Sequence, residues 1–511
     1  MKMKNLKYIS LSFLAIGLLA CENEELEELR NRGNETVQEE QLPPLDAGSL
    51  DFSNYISIGP SFTAGFTDGS VFIAGQENSF PNTLSKQFAN AGGGTFTQPL
   101  VSDNFGGLAL AGNRISGPRL VFGGAGPVPL ESVIGPVTVT TDIALNNPTG
   151  PFNNYGVPGA KSFHFLASGY GNVNNVPLGL ANPYAVRLTG ATPDANILSL
   201  AVAQNPSFFT ADLLGGNDVL GYATNGGDAN IDQITDQNTF SFAFNTIITA
   251  LTANGAKGVV TNTPNVSNLP YFTTVGHDVI PLDAATAGAV NQAYAQYNGG
   301  LQLAAANNII SAAEATARTI NFEASSSNAV VIEDENLTTI TLPTGPGTFT
   351  TLPNIRQATA DDLVILPAAS FIGTEAVPGN PLTVNGVAIP LADRWILTPE
   401  EQQEITVAVN GYNSTIASVA SANGLALVDV NAILEQAATS GIQFDEFNLD
   451  ARLVFGGLVS LDGIHLTARG YAYMANLFLD AIDATYGSNF RASGNVAKAA
   501  DFPTNYSPAL Q

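Results

Sequence analysis

Short, wholly apolar runs alternate along this chain with longer stretches of helical spacing. Tyr55-Ile56-Ser57-Ile58 predicts a strand that ends at Gly59. Further strands are predicted near Phe208–Leu214, at Lys257–Thr261 and at Leu425–Val430. Between them lie helical patterns over about 180–204, 238–254 and 284–306. Thr398-Pro399-Glu400-Glu401 is a helix start, with Thr as cap, Pro first and Glu third, and the pattern runs to about Ala422. A last helix is expected from near Thr467 to just before Gly487. Strands alternating with helices predict parallel βαβ units.

Two stretches break this rhythm. Residues 92–150 are rich in Gly, Pro and Asn with brief apolar bursts, such as Leu120-Val121-Phe122 and Val137-Thr138-Val139-Thr140. They read as an elaborated loop region with a few strands. Residues 320–390 are rich in Thr, Pro and Gly and read as a β-rich insertion, a lid or subdomain. Gly92-Gly93-Gly94 and Gly123-Gly124 are turn chemistry, since neither ends in the Lys-Ser/Thr of a phosphate-binding loop. One elaborated α/β domain is expected over 51–490, followed by a tail at 491–511.

Charge narrows the choice of partners. The 511 residues carry 44 Asp and Glu against 18 Lys and Arg, a formal net charge of −26. Such a surface repels a phosphate backbone, so nucleic acid is not an expected partner. Lys2, Lys4 and Lys7 precede an apolar run from Ile9 to Ala20 that is short for a membrane span. Leu18-Leu19-Ala20-Cys21 resembles a bacterial lipobox, which implies a signal peptide at 1–20 and a lipid on Cys21, the single cysteine. The acidic residues after Cys21 open a linker to about residue 50. They resemble export signals of surface lipoproteins in Bacteroidetes-like bacteria. The implied location is the cell envelope, with the protein anchored by lipid to the outer membrane.

Four segments carry candidate chemistry. In Gly59-Pro60-Ser61-Phe62-Thr63-Ala64-Gly65, Ser61 sits where a strand gives way to a helix, and its N–H can face developing negative charge. In Asn154-Tyr155-Gly156-Val157-Pro158-Gly159-Ala160, Gly159 can bring a bare backbone N–H to a substrate. In Leu214-Gly215-Gly216-Asn217-Asp218, Asn217 follows a strand and can donate its amide. In Ser460-Leu461-Asp462-Gly463-Ile464-His465-Leu466-Thr467, a carboxylate three residues before a histidine can hold imidazole Nδ1 and leave Nε2 as a base. Each segment alone is also an ordinary cap or turn.

Together, Ser, Gly, Asn and Asp-x-x-His in this order resemble the blocks of the SGNH/GDSL hydrolases. The resemblance spans roughly 51–487. It implies a flavodoxin-like three-layer α/β/α sandwich with a five-stranded parallel sheet. It also implies a Ser61–His465–Asp462 triad, an oxyanion hole from Ser61 N–H, Gly159 N–H and Asn217, and no metal or cofactor. The implied activity is hydrolysis of a carboxylic ester, whether a small molecule, a lipid or an acylated glycan. The family usually has Asp where Pro60 stands; Pro removes a carboxylate and an N–H and fixes φ. Two alternatives stay open: an inactive surface lipoprotein that binds glycan or lipid, and an acyltransferase using the same residues.

Other residues read as structural. Asp228-x-Asn230-x-Asp232 has the spacing of a calcium loop, but Gln233 and Thr239 replace its Gly and Glu, so it reads as a loop capping the next helix. His164 reads as structural and His277 as a structural or rim residue. Trp395 reads as packing around the insertion.

Overall fold

The computed structural model describes residues 42–380 and 383–511. The signal peptide, Cys21 and most of the acidic linker lie outside the described residues. The chain divides into two units. The larger, residues 45–491 with 495–511, contains the sheet and all the chemistry below; of the other, only residues 42–44 and 492–494 are described. Among the described residues no helix is long and apolar enough to cross a membrane.

Five strands form one parallel sheet: β1 (Tyr55–Gly59), β2 (Asn154–Gly156), β3 (Phe208–Ala211), β4 (Lys257–Thr261) and β5 (Ala426–Val428). Their spatial order is β2-β1-β3-β4-β5. Both faces are buried, which is why these strands read as continuous apolar runs. Tyr55, Phe208 and Val259 point to one face and Ile56, Phe209 and Val260 to the other. Helices α1 (Ser61–Ala64), α2 (Phe80–Ala89), α3 (Asn217–Thr224), α4 (Gln237–Thr252), α5 (Ala284–Ala306), α6 (Pro399–Asn423), α7 (Val430–Thr439) and α8 (Ala468–Tyr486) follow in chain order. The first face is covered by α2 through Phe80, Leu84 and Phe88 and by α8 through Phe478, Leu479 and Ile482. The second is covered by α4 through Phe240 and Phe244 and by α6 through Ile405 and Tyr412. The protein is thus mixed α/β, with a five-stranded parallel sheet flanked by helices on both sides.

Several expectations shift in detail. The helical stretch near 180–204 is two short helices, Pro183–Thr189 and Ile197–Val202, because Gly190 and Pro193 interrupt it. Leu120–Phe122 pairs with Pro127–Pro129, whereas 137–140 forms no strand. Leu45, Ala47 and Leu50 already pack against the sheet core, ahead of Asp51. The C-terminal stretch is not loose: Tyr506 packs edge-on against Phe72, and Ser507 accepts a hydrogen bond from the buried Arg119.

The largest difference concerns α5. It makes no layer of the sheet but packs, through Val290, Tyr297 and Leu301, in a second apolar core with Ile320, Val331, Ile332 and Ile355. The excursion between β4 and α6 therefore has its own core, and that core begins before residue 320. Trp395 packs against both cores, with Phe371 edge-on to its ring.

The turn that carries Ser61 depends on two glycines without side-chain room. A Cβ on Gly156 would lie 2.5 Å from Ala64 Cα, so α1 rests directly on β2. A Cβ on Gly59 would lie 2.5 Å from the Asp212 carbonyl oxygen. Gly156→Ala is expected to destabilise the fold by about 1–3 kcal/mol through overpacking and to displace α1. A displacement near 1 Å at a reacting group costs roughly 100-fold in rate. Urea unfolding and initial rates on one variant check both halves of this prediction.

Candidate active site

Ser61 is the first residue of α1, at the carboxyl end of β1, which lies between β2 and β3 in the sheet. At this position its N–H has no intrahelical acceptor. Asp462 and His465 occupy a tight loop before α8, closed by Ser460 N–H donating to the His465 carbonyl at 2.7 Å and Gly463 N–H to the Ser460 carbonyl at 3.0 Å. Thr467 caps α8 by accepting from Gly470 N–H at 3.0 Å, and its hydroxyl donates to the Gly457 carbonyl at 2.7 Å. The loop is therefore fixed on both sides.

His465 Nε2 lies 2.8 Å from Ser61 Oγ, and His465 Nδ1 lies 2.8 Å from Asp462 Oδ2. A carboxylate only accepts, so the proton between Asp462 and His465 sits on Nδ1 and Nε2 is left to accept from Ser61. All three side chains are largely buried, with Ser61 6% and His465 9% exposed. Phe66 lies against the imidazole, its ring centroid 4.5 Å away.

Asp462 is held by more donors than the sequence suggested. Its Oδ1 accepts from Ile464 N–H and His465 N–H, both at 2.9 Å, and from Ser460 Oγ at 3.1 Å. Its Oδ2 accepts from Gly69 N–H at 2.9 Å. Burial opposes its ionisation, but the charge and N–H of His465 and the loop amides outweigh burial and hold the carboxyl well below the ordinary range.

The segment after α1 also secures the loop. Thr67 Oγ1 donates to the Leu466 carbonyl, Asp68 N–H to Ser460 Oγ, and Leu461 N–H to Asp68 Oδ1. Asp68 has φ +51° and is almost fully buried; burial and the nearby Asp462 push its carboxyl up to about 7, against the pull of the Leu461 amide and Arg119. Neither Asp68 nor Gly69 stands out in the sequence, because their partners lie more than 390 residues away in the chain.

No family model, curated protein or solved structure matches this chain.

Gly159 and Asn217 follow β2 and β3, the two neighbours of β1. Gly159 has φ +78°, which favours glycine. Its turn is clamped from both sides: Asn182 Nδ2 donates to the Pro158 carbonyl at 2.7 Å and Asn217 Nδ2 to the Ala160 carbonyl at 2.9 Å. Asp218 continues the clamp, accepting from Ser162 N–H and Ser162 Oγ, both at 2.8 Å. One of the two amide protons of Asn217 is thus committed to the backbone, and the second is available.

The remaining histidines lie outside this group. His164 Nδ1 accepts from Lys161 N–H at 3.0 Å and its ring stacks on Tyr170. Burial and the Lys161 charge lower it to about 4, so it is neutral at pH 7. His277 stands 4.0 Å from Asp278. The 228–232 loop does not cap α4; Asp236 does, accepting from Asn238 and Thr239 N–H, while Asp232 pairs with Lys161.

Beneath the Ser61 turn lies Asp212, fully buried, with Thr63 and Thr261 hydroxyls each 3.5 Å from its carboxyl oxygens. Burial pushes it up to about 8. The folded protein therefore holds a proton that the unfolded chain, with a carboxyl near 3.9, releases. The stability this proton brings is full below about pH 4 and is lost as pH rises through about 8. Asp212→Asn is expected to unfold at higher urea than wild type at pH 9, by on the order of 2 kcal/mol, and to differ little at pH 4.

A small apolar cavity lined by Phe62, Leu213, Leu269, Ile464, Leu466 and Met474 lies among the packed side chains, and neither Ser61 nor His465 lines it.

Proposed function

We propose that this protein is a serine hydrolase of the SGNH/GDSL type that cleaves carboxylic esters. The observation that carries the reading is the unbroken chain Asp462–His465–Ser61, 2.8 Å at each step, at the carboxyl end of a parallel sheet. The strand order 2-1-3-4-5 is that of flavodoxin-like folds, and it supports the flavodoxin-like assignment.

In the proposed reaction His465 Nε2 takes the Ser61 proton as Oγ attacks the ester carbonyl. Asp462 keeps the imidazole in the required tautomer and stabilises its charged form. Ser61 N–H, Gly159 N–H and the second Asn217 amide proton serve the tetrahedral oxyanion. His465 then protonates the departing alcohol. Water, deprotonated by His465, releases the acyl group. Pro60 leaves this scheme intact, because the donor it lacks is its own and not that of Ser61. Attachment to the envelope through a lipid on Cys21 is part of the same proposal.

The test is labelling by a fluorophosphonate probe together with hydrolysis of p-nitrophenyl butyrate. Both are expected for wild type and neither for Ser61→Ala. A folded wild-type protein that does neither would sink the reading in favour of a binding protein.

A further inference from the structure

A second cluster of ionisable groups lies away from Ser61 and takes no part in the proposed chemistry. Glu335, Asp393 and Glu401 each bring one carboxylate oxygen to within 4.8 Å of the other two. They come from three places: Glu335 follows a strand of the second core, Asp393 precedes Trp395 where the two cores meet, and Glu401 is in the first turn of α6. None forms an ion pair with Lys, Arg or His among the described residues. The nearby Arg356 is already shared by Asp334 at 2.6 Å and Asp362 at 2.7 Å.

Glu401 makes the cluster more than a patch of surface acid. It is 2% exposed. Its Oε2 closes the capping box, accepting from Thr398 N–H at 2.6 Å and Thr398 Oγ1 at 2.8 Å. Its Oε1 is buried with no hydrogen-bond partner, and so is Asp393 Oδ1. A buried carboxylate oxygen without a donor is costly, and native proteins resolve it by keeping a proton there, with a counter-charge or with a bound ion. Gly227, at φ +81°, passes so close to Glu401 Oε1 that only glycine fits. Asp228 and Asn230 of the degenerate calcium-like stretch line the same cleft as Glu335 and Asp393.

We propose that Glu335, Asp393 and Glu401 form a structural calcium site that ties the second core to the α6 end of the sheet domain. The donor set favours this ion. Calcium takes oxygen ligands at about 2.3–2.6 Å in a flexible geometry, so carboxylate oxygens within 4.8 Å of one another can share it. Magnesium demands a near-ideal octahedron at about 2.0–2.1 Å and is seldom held by a dedicated set of protein carboxylates. The exposed side at Glu335 leaves room for water ligands. This site is independent of the ester-hydrolase reading.

The experiment uses the full chain stripped with EDTA and then given calcium chloride. Equilibrium dialysis is expected to show saturable binding of one calcium with Kd on the order of 0.1–1 mM. The melting temperature is expected to rise by about 2 °C in 10 mM calcium chloride, with a smaller rise in magnesium chloride. Glu335→Gln changes an exposed side chain and leaves the capping box whole. It is expected to weaken binding about 10-fold and remove most of the melting shift, whereas Glu435→Gln on exposed α7 leaves both unchanged. Absence of saturable binding in wild type overturns the proposal, and the three groups then share protons instead. A shift that survives in Glu335→Gln, or is lost equally in Glu435→Gln, also overturns it, by assigning the effect to diffuse surface charge.

Discussion

Ser61→Ala is expected to lower p-nitrophenyl butyrate hydrolysis by at least about 10⁴-fold while leaving the fold intact. The substitution deletes one hydroxyl whose partner in the structure is His465 Nε2. That nitrogen borders the reaction space and can rebind water, so the stability cost is about 1 kcal/mol. His465→Ala is expected to lose a similar factor, because a serine hydroxyl without its base is a poor nucleophile at neutral pH. The two losses should not add. Once either residue is gone the attack step is gone, and the double variant should match the singles within a few-fold. Initial rates for the three variants, with melting temperatures as a fold control, check this. Wild-type rates in Ser61→Ala would end the assignment of the nucleophile.

Asp462→Asn should be nearly as damaging to catalysis and far more damaging to stability. Asp462 accepts from Gly69, Ile464 and His465 N–H, from Ser460 Oγ and from the imidazole. An amide of the same shape must turn an NH₂ toward one side of that ring of donors. If it faces His465, Nδ1 becomes the acceptor and Nε2 carries the proton, which is the wrong tautomer for a base. A fall in kcat of about 10⁴-fold follows. Loss of several charge-assisted hydrogen bonds costs on the order of 2–4 kcal/mol. The pH dependence has a definite sign. The Asp462 carboxyl titrates below its ordinary range in the folded protein, so its contribution is present above about pH 4, the unfolded value. It is lost as pH falls further toward the folded value. Wild type should therefore exceed Asp462→Asn in urea stability at pH 7, and the gap should narrow below pH 4.

The helices and strands were legible because each is set by a handful of neighbouring residues. Thr398 to Glu401 specify the start of α6 by capping alone, and the structure shows the capping box formed. Lys257–Thr261 is a strand at the expected residues, since its buried centre, Gly258-Val259-Val260, offers no polar side chain for an exposed face. The expected helix at 284–306 also formed, yet its place in the layers did not follow. Its pattern says which face is apolar but not which core receives it, and it packs with Val331 and Ile355 instead of the sheet.

The candidate site divides in the same way. Asp462 and His465 are three residues apart in one loop, so their meeting is a local matter. Ser61 lies 404 residues from His465, and Gly69 lies 393 residues from Asp462. Those contacts depend on α8 packing against α2, β4 and β5, which no local pattern encodes. Asp212 beneath the turn and the Glu335–Asp393–Glu401 cluster were likewise invisible, being assembled from segments far apart in the chain. By itself, the sequence determined β1, β3, β4 and β5, the long helices α4, α5, α6 and α8 and the Asp462–His465 loop, but not the short β2, α2 or α7. The tertiary structure alone decided strand order, the second core and which distant groups share a buried space. Capping and periodicity act over one or two turns, whereas strand pairing and burial are settled by the whole chain at once.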